Sequence, residues 1–134
     1  MLMEIEIKSE IKNLRIVEKA IDEMSMELGI DQNCYGKIMV TAMEAVNNAV
    51  MHGNKADPDK KVKVLIMCVK DDIEISVEDE GKGFRYDEVP DPTLPQNIEK
   101  ITGRGVFLMR KLADEVRFND KGNKVTLLFR NVQG

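Results

Sequence analysis

The sequence has few of the residues that common metal sites and hydrolase sites require. Its 134 residues include one histidine, His52, and two cysteines, Cys34 and Cys68, whose separation does not fit zinc-ligand spacing. No serine lies in a Gly-x-Ser-x-Gly motif, so no serine-hydrolase triad is indicated. A histidine and cysteine zinc cluster within one chain is therefore excluded, and the two cysteines are interpreted as buried thiols of a reducing cytoplasm.

Long apolar runs and the common phosphate-binding motifs are also missing. The longest uninterrupted apolar run is Val64–Val69, far shorter than a bilayer-spanning helix, and the first residues do not resemble a secretory leader. The formal net charge of -4 argues against a direct nucleic-acid partner. Neither a P-loop motif nor Gly-x-Gly-x-x-Gly occurs. The sequence therefore predicts a cytoplasmic protein without a membrane segment, a P-loop or a dinucleotide fold.

The chain length and the 43% of hydrophobic residues predict one globular domain over residues 1–134. Alternation and three- to four-residue periodicity predict the order strand, two helices, hairpin, long loop, helix, hairpin. We expect an α/β (α+β) two-layer sandwich with a mixed, mostly antiparallel five-stranded sheet and three helices on one face. The predicted elements are strand 3–7, a helix from about Glu10 that Gly29 stops, a helix from the cap Asp31 to about His52, strands 62–69 and 73–77 around a turn at Asp71–Asp72, helix 106–113, and strands 115–118 and 124–130.

The second predicted helix has a narrow polar stripe on an otherwise apolar circumference. At 100° per residue the stripe contains Lys37, Thr41, Glu44, Asn48 and His52. Glu44 and Asn48 are i,i+4 neighbours, so their side chains can reach one ligand from the same face. A solvated surface stripe is the more common explanation of such a pattern, and the helix alone does not decide between the two.

Two Gly-x-Gly pairs stand at points where a ligand can approach the backbone. Asp79 ends a predicted strand and is followed by Gly81 and Gly83, an arrangement that permits a sharp turn and a hydrogen bond to an exocyclic amine. Gly103 and Gly105 precede the third helix, whose amino terminus could bind phosphate. Taken singly, the first pair is better explained as an ordinary acidic turn, and the second can be a flexible hinge before an ordinary helix start.

In combination, the stripe and the two glycine pairs resemble the GHKL ATP-binding superfamily, which includes gyrase, heat-shock protein 90, histidine kinases and MutL. The matching boxes are Glu-Ala-Val-Asn-Asn-Ala-Val-Met-His-Gly at 44–53, Asp-Glu-Gly-Lys-Gly-Phe at 79–84 and Gly-Arg-Gly-Val-Phe-Leu-Met at 103–109. Within this superfamily, the chain is similar to the bacterial anti-sigma-factor serine/threonine kinases. The resemblance spans essentially the whole chain and implies the Bergerat ATP-binding fold.

The resemblance also implies a role for each residue of the boxes, with ATP and Mg²⁺ as cofactors. The expected roles are Glu44 as general base, Asn48 as Mg²⁺ ligand, Asp79 as reader of the adenine amino group, Gly81 and Gly83 beside the base, Gly103 and Gly105 around the phosphates, and residues 85–102 as the ATP lid. In the better-known kinases a basic residue precedes the first glycine of the last box. Here Arg104 lies between the glycines and is expected to reach the γ-phosphate.

The partners that the resemblance implies are a sigma factor and an anti-anti-sigma protein with a STAS domain, phosphorylated on serine. Two alternatives stay open: an ATP-dependent regulatory binding module without phosphoryl transfer, and the catalytic domain of a phosphorelay. A homodimer through the first strand and helix region is also expected from related proteins, although that strand could equally complete its own sheet.

Overall fold

The computed structural model describes residues 1–82 and 101–133, with the backbone alone over 101–104. The five strands are β1 (Leu2–Lys8), β2 (Lys61–Val69), β3 (Asp72–Glu78), β4 (Glu115–Phe118) and β5 (Lys124–Phe129). They form one sheet in the order β1-β2-β3-β5-β4, and all four pairings are antiparallel. The two-layer α/β fold is confirmed, and the described sheet is wholly antiparallel rather than mixed.

Three helices accompany the sheet: α1 (Leu14–Leu28), α2 (Gln32–Asn48) and α3 (Ile101–Leu112). α1 ends where the sequence predicts, because Gly29 adopts φ 63° at the carboxyl cap. The predicted cap of α2 is also confirmed, since the Asp31 carboxylate accepts a hydrogen bond from Asn33 N–H at 3.1 Å. After Asn48 the helix continues as a π-turn over Ala49–Gly53, which the sequence pattern did not predict.

The core lies between the helices and one face of the sheet. The cross-strand register aligns Ile5, Val64, Val77 and Val125 in one row, and the corresponding aliphatic residues of the other rows point the same way. The helices bury Val17, Ile21, Ile38, Val46 and Met109 against this face. On the opposite face, β3 presents Asp72, Glu74, Ser76 and Glu78, whereas β2 presents Leu65, Met67 and Val69 as well as two lysines. These positions are exposed or half-buried, so the helices cover only the other side of the sheet.

Two predicted boundaries are wrong. α3 begins at Ile101 rather than at Val106, so residues 103–105 lie inside the helix instead of preceding it. The β2–β3 turn is Lys70–Asp71 rather than Asp71–Asp72, because Val69 pairs with Asp72 and Lys70 takes a positive φ of 57°. The expected lid, residues 85–102, lies outside the described residues except for its last two, which open α3.

β1 is an edge strand, paired with β2 on one side in the described sheet. Its edge position matches the expectation for a dimerisation strand, but the homodimer stays a prediction. In the described part of the chain, none of the helices combines the length and the apolar character that crossing a membrane needs.

Candidate functional site

One wall of the site is formed where α3 crosses α2. Glu44 and Asn48 lie one turn apart on α2, and Gly105 of α3 packs directly against both side chains. A methyl group at Gly105 would lie 2.8 Å from Asn48 Nδ2 and 3.1 Å from Glu44 Oε2. Gly105 therefore serves as a close-approach residue, and any larger residue would displace the two side chains that the sequence predicts to be functional.

The Asn48 side chain is left with an unsatisfied acceptor. Its Oδ1 is buried and has no hydrogen-bond partner among residues 1–82 and 101–133. Buried polar atoms are almost always hydrogen-bonded, and an orphaned one costs about 1–3 kcal/mol. An amide oxygen of this kind fits a hard cation, which takes neutral oxygen ligands from proteins and keeps several of its waters. The residue is thus suited to hold Mg²⁺.

The second wall is the turn after β3, built around Asp79. Asp79 Oδ1 accepts a hydrogen bond from Gly81 N–H at 2.7 Å. Asp79 N–H donates to the Asn123 carbonyl oxygen, and Asn123 Nδ2 donates to the Asp79 carbonyl oxygen, both at 2.9 Å. The aspartate is therefore fixed from two directions and leaves carboxylate acceptor capacity for a ligand.

Two glycines allow this turn to lie against the end of the π-turn. A methyl group at Gly53 would lie 2.3 Å from Asp79 Oδ2, and one at Gly81 would lie 2.9 Å from Asp79 Oδ1. These distances are well inside van der Waals contact. Both positions therefore require glycine if the carboxylate is to stay where it is.

Burial raises the pKa of the Asp79 carboxyl above its ordinary value of 3.8. The Gly81 N–H bond opposes this shift, the neighbouring Glu78 charge adds to it, and Lys121 and Lys60 reduce it. A perturbed carboxyl at the end of a pocket is a frequent feature of functional sites.

A cavity of about 170 Å³ connects the two walls. It is mainly apolar and has a few polar groups at its ends, as is typical of pockets that take a flat heterocycle. The residues that line it are Ala45, Asn48, Ala49, His52, Gly53, Val77, Asp79, Val106, Met109, Phe118, Gly122, Asn123, Lys124 and Val125.

The described site thus brings together Glu44, Asn48 and Gly105 at one wall and Asp79 and Gly81 at the other, with Asn48 and Asp79 on the same cavity. Gly83 and the side chain of Arg104 lie outside the described residues, and Gly103 lies within the first turn of α3. Two residues of this region had no predicted role: Asn54 and Asn123. In the sequence, the only indication of their importance is that each follows a glycine: Asn54 follows Gly53 at the end of the α2 segment, and Asn123 follows Gly122 in the β4–β5 turn.

Known proteins resemble this chain over most of its length. A family profile described as a histidine kinase-like ATPase domain matches residues 7–129. The serine-protein kinase RsbW of Bacillus licheniformis is 31% identical over 92% of this chain and 82% of its own length. The RsbW of Bacillus subtilis (strain 168) is 24% identical over 98% of this chain and 86% of its own length.

A solved structure shares the fold. The crystal structure of the RsbU and RsbW domains of a Mycobacterium tuberculosis protein superposes with a TM-score of 0.70 at 23% identity. The match covers 97% of this chain and 32% of that longer chain. At this identity the likeness concerns the fold alone.

Proposed function

Since this chain belongs to the histidine kinase-like ATPase domain family, together with the RsbW serine-protein kinases, we propose that it is a Mg²⁺-dependent protein serine kinase. The resemblance expected from the three sequence boxes is confirmed by these matches. The observation that carries the proposal is the buried Asn48 Oδ1 beside Glu44 and Gly105, which has no hydrogen-bond partner within the described part of the chain.

In the proposed function, ATP binds across the two walls of the site in one orientation. In the proposed complex the adenine amino group donates to the Asp79 carboxylate, and the base lies in the apolar cavity beside Gly81 and, beyond the described residues, Gly83. The phosphates then extend toward α3, where Gly103, Arg104 and Gly105 stand in the first turns. Helix amino termini of this kind favour anions.

At the phosphate end we assign Asn48 as the protein ligand of Mg²⁺. When bound, Mg²⁺ supplies neutralisation of the charge on the phosphoryl group. Asn48 offers its Oδ1 from a buried position, and its neutral amide lets the phosphates provide the charged ligands.

Glu44 is the proposed general base. It lies one helical turn before Asn48, and its Oε2 borders the same glycine, so in the proposed complex it stands beside the phosphates. In this position the carboxylate can accept the proton of a serine hydroxyl that attacks the γ-phosphate. A module that only binds ATP would require Asn48 and Asp79 but not this carboxylate.

The partners follow from the RsbW relationship and form part of the proposal. We propose that the serine belongs to an anti-anti-sigma protein with a STAS domain. The second proposed partner is a sigma factor, which the kinase binds without phosphorylating it. Phosphorylation would then determine which of the two proteins the kinase holds.

The first test is calorimetric binding of ATP and ADP with and without Mg²⁺, on the wild type and on Asn48→Ala. We expect Mg²⁺-dependent ATP binding by the wild type, weakened at least about tenfold in Asn48→Ala. Lys37→Ala, an exposed position on the same helix, is the control and should bind as the wild type does. A wild type that binds no ATP would refute the proposal. Binding without transfer of γ-phosphate to any STAS-domain protein would support the regulatory-module alternative.

A further inference from the structure

Asn54 is a fully buried polar residue behind the Asp79 turn, with an exposed fraction of 0%. Its Nδ2 donates to Ser9 Oγ at 2.7 Å and to the Lys61 carbonyl oxygen at 3.0 Å. Its Oδ1 accepts from Glu80 N–H at 2.8 Å. All the polar atoms of the side chain are therefore used, as a buried amide requires.

The bond to Glu80 completes a series of three. The successive N–H groups of Asp79, Glu80 and Gly81 donate to the Asn123 carbonyl, to Asn54 Oδ1 and to Asp79 Oδ1, respectively. The Asn123 contact comes from the adjoining β4–β5 hairpin and the Asp79 contact is internal. Asn54 is thus the residue through which the end of the α2 segment fixes the plane of the 79–80 peptide.

The π-turn explains why Asn54 can reach this position. Asn54 N–H donates to the Ala49 carbonyl oxygen at 2.8 Å, five residues back, so the last turn is one residue wider than an α-helical turn. Asn48 precedes this wide turn and Asn54 follows it. One turn of backbone therefore separates the unpartnered amide at the phosphate end from the amide that supports Asp79.

We propose that Asn54 is a positioning residue that fixes the Asp79 carboxylate for the exocyclic amine of the nucleotide base, and so sets the preference for ATP over GTP. This inference rests on the proposed ATP-binding function. Guanine presents a carbonyl oxygen where adenine presents its amine, so a fixed carboxylate rejects it. A site built to pair with one hydrogen-bonding group discriminates strongly only while its own group is held in place.

The test compares Asn54→Ala with Ser9→Ala in binding of ATP and GTP with Mg²⁺. Ser9→Ala disturbs the same buried cluster but leaves the Asn54–Glu80 bond intact. We expect the dissociation constant for ATP to rise roughly tenfold in Asn54→Ala, with a smaller ATP-to-GTP preference. Ser9→Ala should lower the melting temperature and keep the preference. Asn54→Asp, which retains the acceptor for Glu80, should also keep it.

Equal loss of preference in Ser9→Ala and Asn54→Ala would reduce Asn54 to a structural role and overturn the inference. If the wild type binds ATP and Asn54→Ala keeps the same preference for ATP over GTP, the inference about Asn54 is overturned but the proposed function is not. If the wild type binds no ATP, both are overturned. If Asn54→Ala does not fold, Asn54→Ser takes its place, because serine keeps a polar group in the buried cluster but has a shorter side chain than asparagine. Amide hydrogen exchange of the nucleotide-free protein gives an independent reading: the Glu80 amide should exchange faster in the Asn54 variant than in Ser9→Ala, and equal exchange would overturn the inference.

Discussion

Gly81 lies so close to Gly53 that a methyl group at Gly81 would be 2.1 Å from the Gly53 carbonyl oxygen. This contact joins the turn after β3 to the end of the π-turn after α2. The turn that carries Asp79 and the π-turn that follows Asn48 are therefore packed backbone to backbone, with no room for a side chain between them.

The contact predicts that Gly81→Ala is costly. The added methyl group must separate the two turns, so we expect a loss of about 1–3 kcal/mol in the free energy of unfolding and at least about tenfold weaker ATP binding. Gly36→Ala is the matched control, because Gly36 lies within α2 with nothing within 4 Å of the added methyl group. That substitution should stabilise the protein by about 1 kcal/mol. Denaturant unfolding and calorimetry measure both effects, and a Gly81→Ala variant with wild-type affinity would contradict the packing.

Gly105→Ala separates ligand binding from stability. Alanine favours a helix over glycine by about 1 kcal/mol, which offsets part of the strain from the clash with Asn48 and Glu44. We therefore expect a melting temperature near that of the wild type but weaker Mg²⁺-dependent ATP binding, by roughly tenfold. Thermal unfolding and calorimetry on the same samples measure the two quantities. Unchanged binding would mean that the two side chains do not need their present positions.

Glu44→Gln tests the general base. Removing the carboxylate charge while keeping the shape should lower the rate of phosphoryl transfer roughly 10²–10⁴-fold and leave ATP affinity unchanged. The measurement is single-turnover transfer from γ-labelled ATP to a STAS-domain partner, with Lys37→Ala as the control. Wild-type transfer by Glu44→Gln would remove this residue from the mechanism while leaving the ATP site standing.

The raised pKa of Asp79 predicts opposite pH effects on stability and binding. Folding favours the protonated form, so the stability contributed by this group is fully present below the ordinary pKa of 3.8 and is lost as the pH rises through the raised value. ATP binding needs the carboxylate, so affinity should fall as the pH drops through the raised pKa.

Substitutions of two charged residues near Asp79 test whether its carboxylate controls the pH dependence of ATP binding. Glu78→Gln removes a charge that raises the pKa of Asp79, and should move the midpoint of the binding profile to lower pH. Lys121→Gln removes a charge that lowers it, and should move the midpoint up. Calorimetric titrations between neutral pH and 3.8 measure these shifts, and identical midpoints in all three proteins would show that another group controls binding.

The elements with strong local patterns could be predicted from the sequence. Alternation in β1, the cap at Asp31 and the stop at Gly29 depend on neighbouring residues and agree with the structure. The start of α3 could not be predicted, because two glycines lower the intrinsic helix propensity and packing against α2 overrides it.

The site residues also divide into those that local spacing predicts and those that depend on distant contacts. Glu44 and Asn48 share a face because of helical spacing alone, and both lie against Gly105 of α3, while their functional roles stay predictions. The roles of Asn54 and Asn123 depend on contacts that span 26 and 44 residues along the chain. The π-turn that brings Asn54 to Glu80 shifts the helical period by a single residue. A shift of this size does not visibly change the apolar pattern of the sequence.

The reciprocal pairing of Asp79 with Asn123 also bears on how the molecule is made. The β2–β3 hairpin closes with a two-residue turn and can form from local contacts early in folding. Asp79 at its end lacks these two hydrogen bonds until the chain has been synthesised through Asn123 and β5 has paired with β3. A ribosome-bound chain that lacks β5 is therefore expected not to bind nucleotide, so the proposed ATP site forms only after β5 has been synthesised.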